Sequence, residues 1–536
     1  MTLELPRAHP RSQPPPRPPS LAPGTSATAP SRARAGAPAL GVLFGTAAAL
    51  SAYAAFTTTE VRTAALGPFF AEVFLLAAIA GVMALRDPEG RLRLSNPALM
   101  LLGWMFYYFV KPALAWLQGY RMALESPGTV LLDTDLVSQV QFAHCWFALS
   151  LFGAYFLVAP AAVPMPDPKG ARDTSIRPLP FVLLGLLPYA LNVVDRLMSG
   201  GSIVATASYG DVTDNEAESI VASRNTGGAG YLVTQVISKI WYLPVMSLGV
   251  GYYALLARFL RERRRLALAM FFAQIPVLLF FGNGGRSYTV FPFLIALILV
   301  DALALPLRWM RYLPAVAAAV QAFNFYGVFR GFQSEGPTGA FNASVELLTS
   351  GERVLNTEDG IMLTKEAYCL LLASHGQISR GADYFLDAMI LLLPSQIAPN
   401  KAFIRTTAEF LSDELLGQRR RGAGVAGTMV GDGLLIGGEI GVVVLGAVLG
   451  VILGMVVRWG YQGRDGAQLW RGIIMLLITA QTTQYVRADL VVVLTQIIYY
   501  VVLPSMMINL LLSTRMLDRS VWETRLAMLQ RTRTSS

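Results

Sequence analysis

The stretch Gly282-Asn283-Gly284-Gly285-Arg286-Ser287 carries residue types that could hold an anion. Its glycines let successive backbone N–H groups converge without a Cβ in the way, and such nests accept phosphate-like groups. Arg286 adds a planar guanidinium suited to bidentate phosphate contact, and Ser287 could cap the helix that follows. A diphosphate held at a membrane surface fits this set. A tight turn whose arginine snorkels to headgroups fits it equally well.

Carboxylates stand further along. Asp432 lies between Gly431 and Gly433 at the start of an apolar run, where it would meet both a helix N-terminus and an arriving sugar hydroxyl. Glu439 should sit two turns further along the same helix, roughly 10 Å deeper at 1.5 Å per residue. An acid at that depth is a functional candidate by default, with a helix–helix hydrogen bond as the plainer alternative. Gly446, Gly450 and Gly454 repeat at four-residue spacing in this run, which brings a neighbouring helix close and serves packing.

The remaining cations that could bind phosphate are Arg330, after Phe325, Tyr326 and Phe329; Arg487, paired in sequence with Asp489; and Lys401 with Arg405. Lys401 follows two prolines in LLPSQIAPNKAF, which make a rigid extended segment. An arginine at a membrane boundary often serves only as an anchor. Several such ends on a face poor in cations would instead converge if the bundle closes on a cavity. Arg419, Arg420 and Arg421 read as a solvated charge run. His144 and Cys145, among Phe142, Trp146 and Phe147, read as core packing, and His375 reads as a lone loop histidine.

The elements that must position these groups follow from composition. The chain has 536 residues, 54% apolar and 14% charged, and a mean hydropathy of +0.49. An ordinary soluble enzyme, with about a quarter of its residues charged, is excluded. A net charge of +9 in so apolar a chain points to topology signals and anionic headgroups, and no nucleic acid partner is expected. Two cysteines and three histidines leave neither a disulfide framework nor a zinc cluster, so no metal or cofactor is expected.

Residues 1–36 are proline-rich, lack the apolar core of a signal peptide, and read as a disordered cytoplasmic tail. Apolar runs near the roughly 20 residues needed to cross a bilayer then recur at 38–57, 66–85, 97–117, 140–163, 178–197, 231–257, 266–282, 288–306, 311–329, 434–457, 470–486 and 490–512. Cations gather in both termini and in alternate loops, most densely at Arg258, Arg261, Arg263, Arg264 and Arg265, which places both ends in the cytoplasm.

The expected fold is thus an all-α polytopic membrane protein of about twelve transmembrane helices. Helices 1–9 fall in 37–329, a large helical periplasmic loop in 330–433, helices 10–12 in 434–512, and a basic cytoplasmic tail in 513–536. The large loop holds helical stretches at 359–375 and 382–393. The second is apolar but too short to cross, so it either lies in the interface or dips back into the protein. A second outer loop, 198–230, carries Asp211, Asp214, Glu216 and Glu218. Long loops of this kind are usually functional, so the chemistry should face outward.

With these residues in order, the chain resembles the bacterial oligosaccharide repeat-unit polymerases, the Wzy-type O-antigen polymerases. The resemblance spans roughly 230–512. It rests on GGRS closing a mid-chain helix, Arg330 before a large outer loop, the Pro and Lys segment at 394–401, Gly431-Asp432 followed by Gly438 and Gly441, and Arg487-x-Asp489. The family usually has Glu and a downstream Asn where this chain has Asp432 and Ile436.

The resemblance implies a metal-independent membrane glycosyltransferase of the broad GT-C kind in the bacterial inner membrane. It would act at the outer face on polyprenyl-diphosphate-linked oligosaccharides, with a chain-length regulator and a flippase as protein partners. Glycosyl transfer passes through an oxocarbenium-like centre and releases a diphosphate. Arg286, Arg330 and Arg487 would neutralise that leaving group, while Lys401, Arg405 and Asp489 would help hold diphosphate or glycan. Asp432, or else Glu439, would take the proton from the acceptor hydroxyl.

Two other readings stay open. A transporter or flippase of lipid-linked glycan would share the twelve spans and should show internal repeats and broken helices. No clear repeat is seen. An O-antigen ligase-like transferase would look similar in outline but should carry a late outer histidine, and none follows His375. A structural scaffold for a secretion complex is a further, less favoured alternative.

Overall fold

The computed structural model describes residues 32–87, 96–120, 122, 130–160, 336–349, 361–376, 383–393, 427–461 and 485–502, with single positions between 397 and 414 and between 478 and 482. The elements are α1 (Arg32–Thr57), α2 (Leu66–Arg86), α3 (Pro97–Met105), α4 (Lys111–Leu117), α5 (Thr134–Val158), α6 (Gly336–Thr349), α7 (Ile361–Ser374), α8 (Asp383–Leu392), α9 (Met429–Tyr461) and α10 (Leu490–Gln496). A 3-10 turn, Glu60–Ala65, leads into α2, and π-helical turns follow α3 and α10.

The described residues are thus helical, and five stretches are long and apolar enough to cross a membrane: Leu40–Thr57, Glu60–Arg86, Pro97–Leu117, Thr134–Val158 and Met429–Trp459. They coincide with the runs expected at 38–57, 66–85, 97–117, 140–163 and 434–457. The runs at 178–197, 231–257, 266–282, 288–306 and 311–329 lie outside the described residues. So do 470–477 and 503–512 of the last two.

Local sequence explains how the first helices begin and bend. Asn96 caps α3 by accepting from Ala98 N at 3.0 Å, with Pro97 at the first helical position. Pro112 would clash with the carbonyl four residues back in a regular helix. The chain instead widens into a π turn at Phe106–Val110 just before it, so α3 and α4 form one long rod. Asp133 caps α5 through Leu136 N at 2.7 Å.

Packing fixes directions. Arg62 donates to the Trp116 carbonyl and lies over its ring, which ties the start of α2 to the end of α4. Arg86 donates to Phe156 O at 3.0 Å and covers that ring, so α2 and α5 end together and run parallel. The glycine series of α9 meets α5. A Cβ on Gly446 would lie 2.8 Å from Phe147 O, one on Gly450 2.9 Å from the carbonyl carbon of Leu151, and one on Gly454 2.9 Å from Val158 Cβ. Glycine at all three lets the backbones touch, as the four-residue spacing leads one to expect. Because later glycines meet later residues of α5, these two helices also run parallel. If both cross a bilayer, an odd number of crossings separates them, the parity of the five runs expected in 178–329.

Two findings reshape the region expected as an outer loop. First, α7 is no surface helix. Met362, Leu363, Thr364, Lys365, Glu366, Ala367 and Cys369 are all buried, and the helix packs among α4, α5 and α9. At 14 residues, about 21 Å, it is too short to cross and is inserted into the bundle.

Second, α9 is broken. Gly437 and Gly438 leave helical geometry, and Gly438 has φ +62° and ψ −141°, a combination open only to glycine. The eight residues 429–436 therefore form a short segment separate from the 23-residue segment 439–461. The short segment folds back on the first turn of the long one, since a Cβ on Gly433 would lie 2.7 Å from Val442 Cα.

Candidate functional site

The break in α9 sets the positions of both candidate carboxylates. Thr428 caps the short segment, its hydroxyl accepting from Gly431 N at 2.8 Å and its carbonyl from Asp432 N at 2.9 Å. Asp432 then points across to α10. Its Oδ2 accepts from Leu490 N at 2.5 Å, a contact between residues 58 positions apart in sequence. The Tyr384 hydroxyl of α8 lies 3.4 Å from both oxygens of the carboxylate, and Thr407 donates to that hydroxyl at 3.0 Å.

Asp489 stands beside this group as the cap of α10, accepting from Val492 N at 2.9 Å. Gly427 makes the approach feasible, because a Cβ there would lie 2.8 Å from Asp489 Cβ. Tyr384, Thr407, Asp432 and Asp489 are all fully or almost fully buried. Arg487, two residues before Asp489, is half-buried. The start of α10, which Asp489 caps, thus lies against Asp432, with α8 folded in over them. That answers how 382–393 is placed: Tyr384 and Ala388 are buried toward the protein, while Leu386, Met389 and Leu393 face outward.

Glu439 is a correction. The sequence leads one to expect it two turns below Asp432 on a continuous helix. The break makes it the first residue of the long segment, where it is exposed and makes no hydrogen bond or ion pair among the described residues. Arg286, Arg330, Lys401 and Arg405 lie outside the described residues, so of the expected phosphate-binding cations only Arg487 is placed.

A second buried polar cluster was missed. His144 of α5 bridges two carboxylates, with Nδ1 3.0 Å from Glu72 Oε1 of α2 and Nε2 2.7 Å from Glu366 Oε2 of α7. All three side chains are buried, and the imidazole stacks on Phe109 at 3.9 Å between ring centres, nearly parallel. The packing reading of His144 saw the aromatic neighbours and missed the acids. Glu72 was the legible signal, a lone acid inside an otherwise apolar run. Glu366 was not legible, because a helix too short to cross, within a long connection, gives no sign of being inserted.

Gln141, one turn before His144, is also buried, and neither of its amide atoms has a partner among the described residues. No group of His, Cys, Asp and Glu among the described residues is arranged to hold a metal ion. Compared with protein-family models, curated proteins and solved structures, the chain matches none.

Proposed function

We propose that this chain is a glycosyltransferase of the bacterial inner membrane that polymerises polyprenyl-diphosphate-linked oligosaccharide repeat units at the outer face. The observation that carries the reading is the meeting of Asp432 with Asp489 under Tyr384 and Thr407. Pieces that the family resemblance picks out far apart in sequence come to one place.

In this reading Asp432 is the base for the acceptor hydroxyl. Tyr384 covers it in the state described, so the hydroxyl gains access by displacing the tyrosine. Arg487, with Arg286 and Arg330, neutralises the departing diphosphate, while Lys401 and Arg405 help hold diphosphate or glycan. The growing glycan passes to the terminal sugar of the next lipid-linked unit.

The test is elongation by purified protein given lipid-linked repeat units, read as a ladder of longer products. Asp432→Asn keeps an oxygen for Leu490 N–H and should fold, yet elongate at least about a hundredfold more slowly. Arg286→Ala should abolish the ladder at normal expression. Wild-type rates in both variants would end the catalytic assignment.

A second reading, a transporter or flippase of lipid-linked glycan, is favoured by the buried His144 cluster, since ionisable groups at such depth often mark proton-coupled movement. Translocation across vesicles without elongation would decide for it. The break in α9 does not add to that reading, because it precedes a segment long enough to cross by itself.

A further inference from the structure

We propose that His144, Glu72 and Glu366 form a proton-binding site inside the helical bundle, with the imidazole as a relay between the two carboxylates. Its ligand is the proton.

The geometry demands a proton beyond the simplest inventory. A neutral imidazole has one N–H and one lone pair. It can donate to Glu72 or to Glu366, but not to both. With both acids ionised, the other contact would press a lone pair against a carboxylate oxygen at 3.0 Å or 2.7 Å. A proton on the second ring nitrogen, or on the facing carboxyl, turns that contact into a hydrogen bond.

Capacity for more than one proton is present. Among the described residues, Glu72 Oε2, Glu366 Oε1 and both amide atoms of Gln141 are buried without a partner. Gln141 lies one turn from His144 on the same face of α5. Within four residues in sequence of His144, Glu72, Glu366 and Phe109, the other titratable groups are Cys145 on α5, Lys365, Tyr368 and Cys369 on α7, and Tyr107, Tyr108 and Lys111 at the junction of α3 and α4. The acids occupy opposite ring nitrogens, so no single metal ion can take all three groups.

The transfer step balances. A proton on Glu366 moves from Oε2 to Nε2, breaking that O–H bond as the N–H bond forms. The proton on Nδ1 then moves to Glu72 Oε1. One positive charge has crossed the ring from α7 to α2, and the imidazole ends as its other neutral tautomer.

Nitrogen NMR of the full chain, labelled at histidine and held in detergent at neutral pH, tests this without substrate, so its outcome is separate from that of the elongation assay. The sequence has three histidines. His9→Gln and His375→Gln assign His144 by elimination even where His144→Gln fails to fold. The expected spectrum has both His144 nitrogens protonated. One protonated nitrogen also supports the site when an infrared band of a protonated carboxylic acid is present and disappears in Glu72→Gln or Glu366→Gln. A bare second nitrogen with no such band overturns the proposal. A His144 signal that shifts with sodium at fixed pH also overturns it, in favour of a cation site.

Discussion

Asp432 and Glu439 look alike in sequence, two acids at the start of one glycine-rich run, and the structure separates them completely. Asp432 is enclosed, with one oxygen committed to the backbone of α10 and a tyrosine over both. Glu439 is exposed and makes no such contact among the described residues. Exposed side chains without partners usually change stability by about 0.5 kcal/mol or less, so Glu439→Gln should melt and elongate within about twofold of wild type. A large loss of elongation in that variant, measured beside Asp432→Asn, would move the base from one carboxylate to the other.

At the scale of elements, glycines decide the shape of α9 in two different ways. Gly438 supplies a backbone conformation, since its φ of +62° with ψ of −141° is closed to L side chains. Nothing lies near a Cβ built there, so the cost of Gly438→Ala is strain alone, about 1–3 kcal/mol. Gly437 has φ −165°, ordinary extended backbone with open space around it, and Gly437→Ala should be nearly neutral. Thermal melts of the two variants test the break directly, and equal melting points would mean that the helix runs straight through. Gly450 supplies space instead. Gly450→Leu would push α9 off the Leu151 backbone of α5, costing at least about 1–3 kcal/mol by overpacking. Loss of a monodisperse peak in size-exclusion chromatography would register it.

For the whole molecule, the parallel courses of α2, α5 and α9 and the opposite courses of α1 and the α3–α4 rod give each end of the bundle a definite set of residues. Glu60 lies at one end and Asp87 at the other. The distribution of cations in the sequence leads us to expect the Glu60 end outside. A membrane-impermeant maleimide should therefore label Glu60→Cys in intact cells and Asp87→Cys only after permeabilisation, in a background freed of Cys145 and Cys369. Labelling in the reverse order would invert the protein and put Asp432 on the cytoplasmic side.

The five described helices long and apolar enough to cross were legible because such a stretch is written locally: about twenty consecutive apolar residues announce it whatever surrounds them. Four-residue glycine spacing announced a close helix contact for the same reason, since one helix face is a short-range property. The helix break was not legible, because Gly437-Gly438 reads like any pair in a glycine-rich run until the backbone is seen. Nor was the depth of α7, which is too short to read as a span and whose burial depends on the helices around it. The two polar clusters depend on the tertiary structure most of all. Glu72, His144 and Glu366 come from three distant helices, as Tyr384, Asp432 and Asp489 do. A hydrogen bond between residues 222 positions apart leaves no periodicity for the eye to find. Sequence decided which segments suit a membrane, because transfer into an apolar medium is nearly a sum over neighbouring side chains; the fold decided which polar groups meet there, because pairing depends on distance in space.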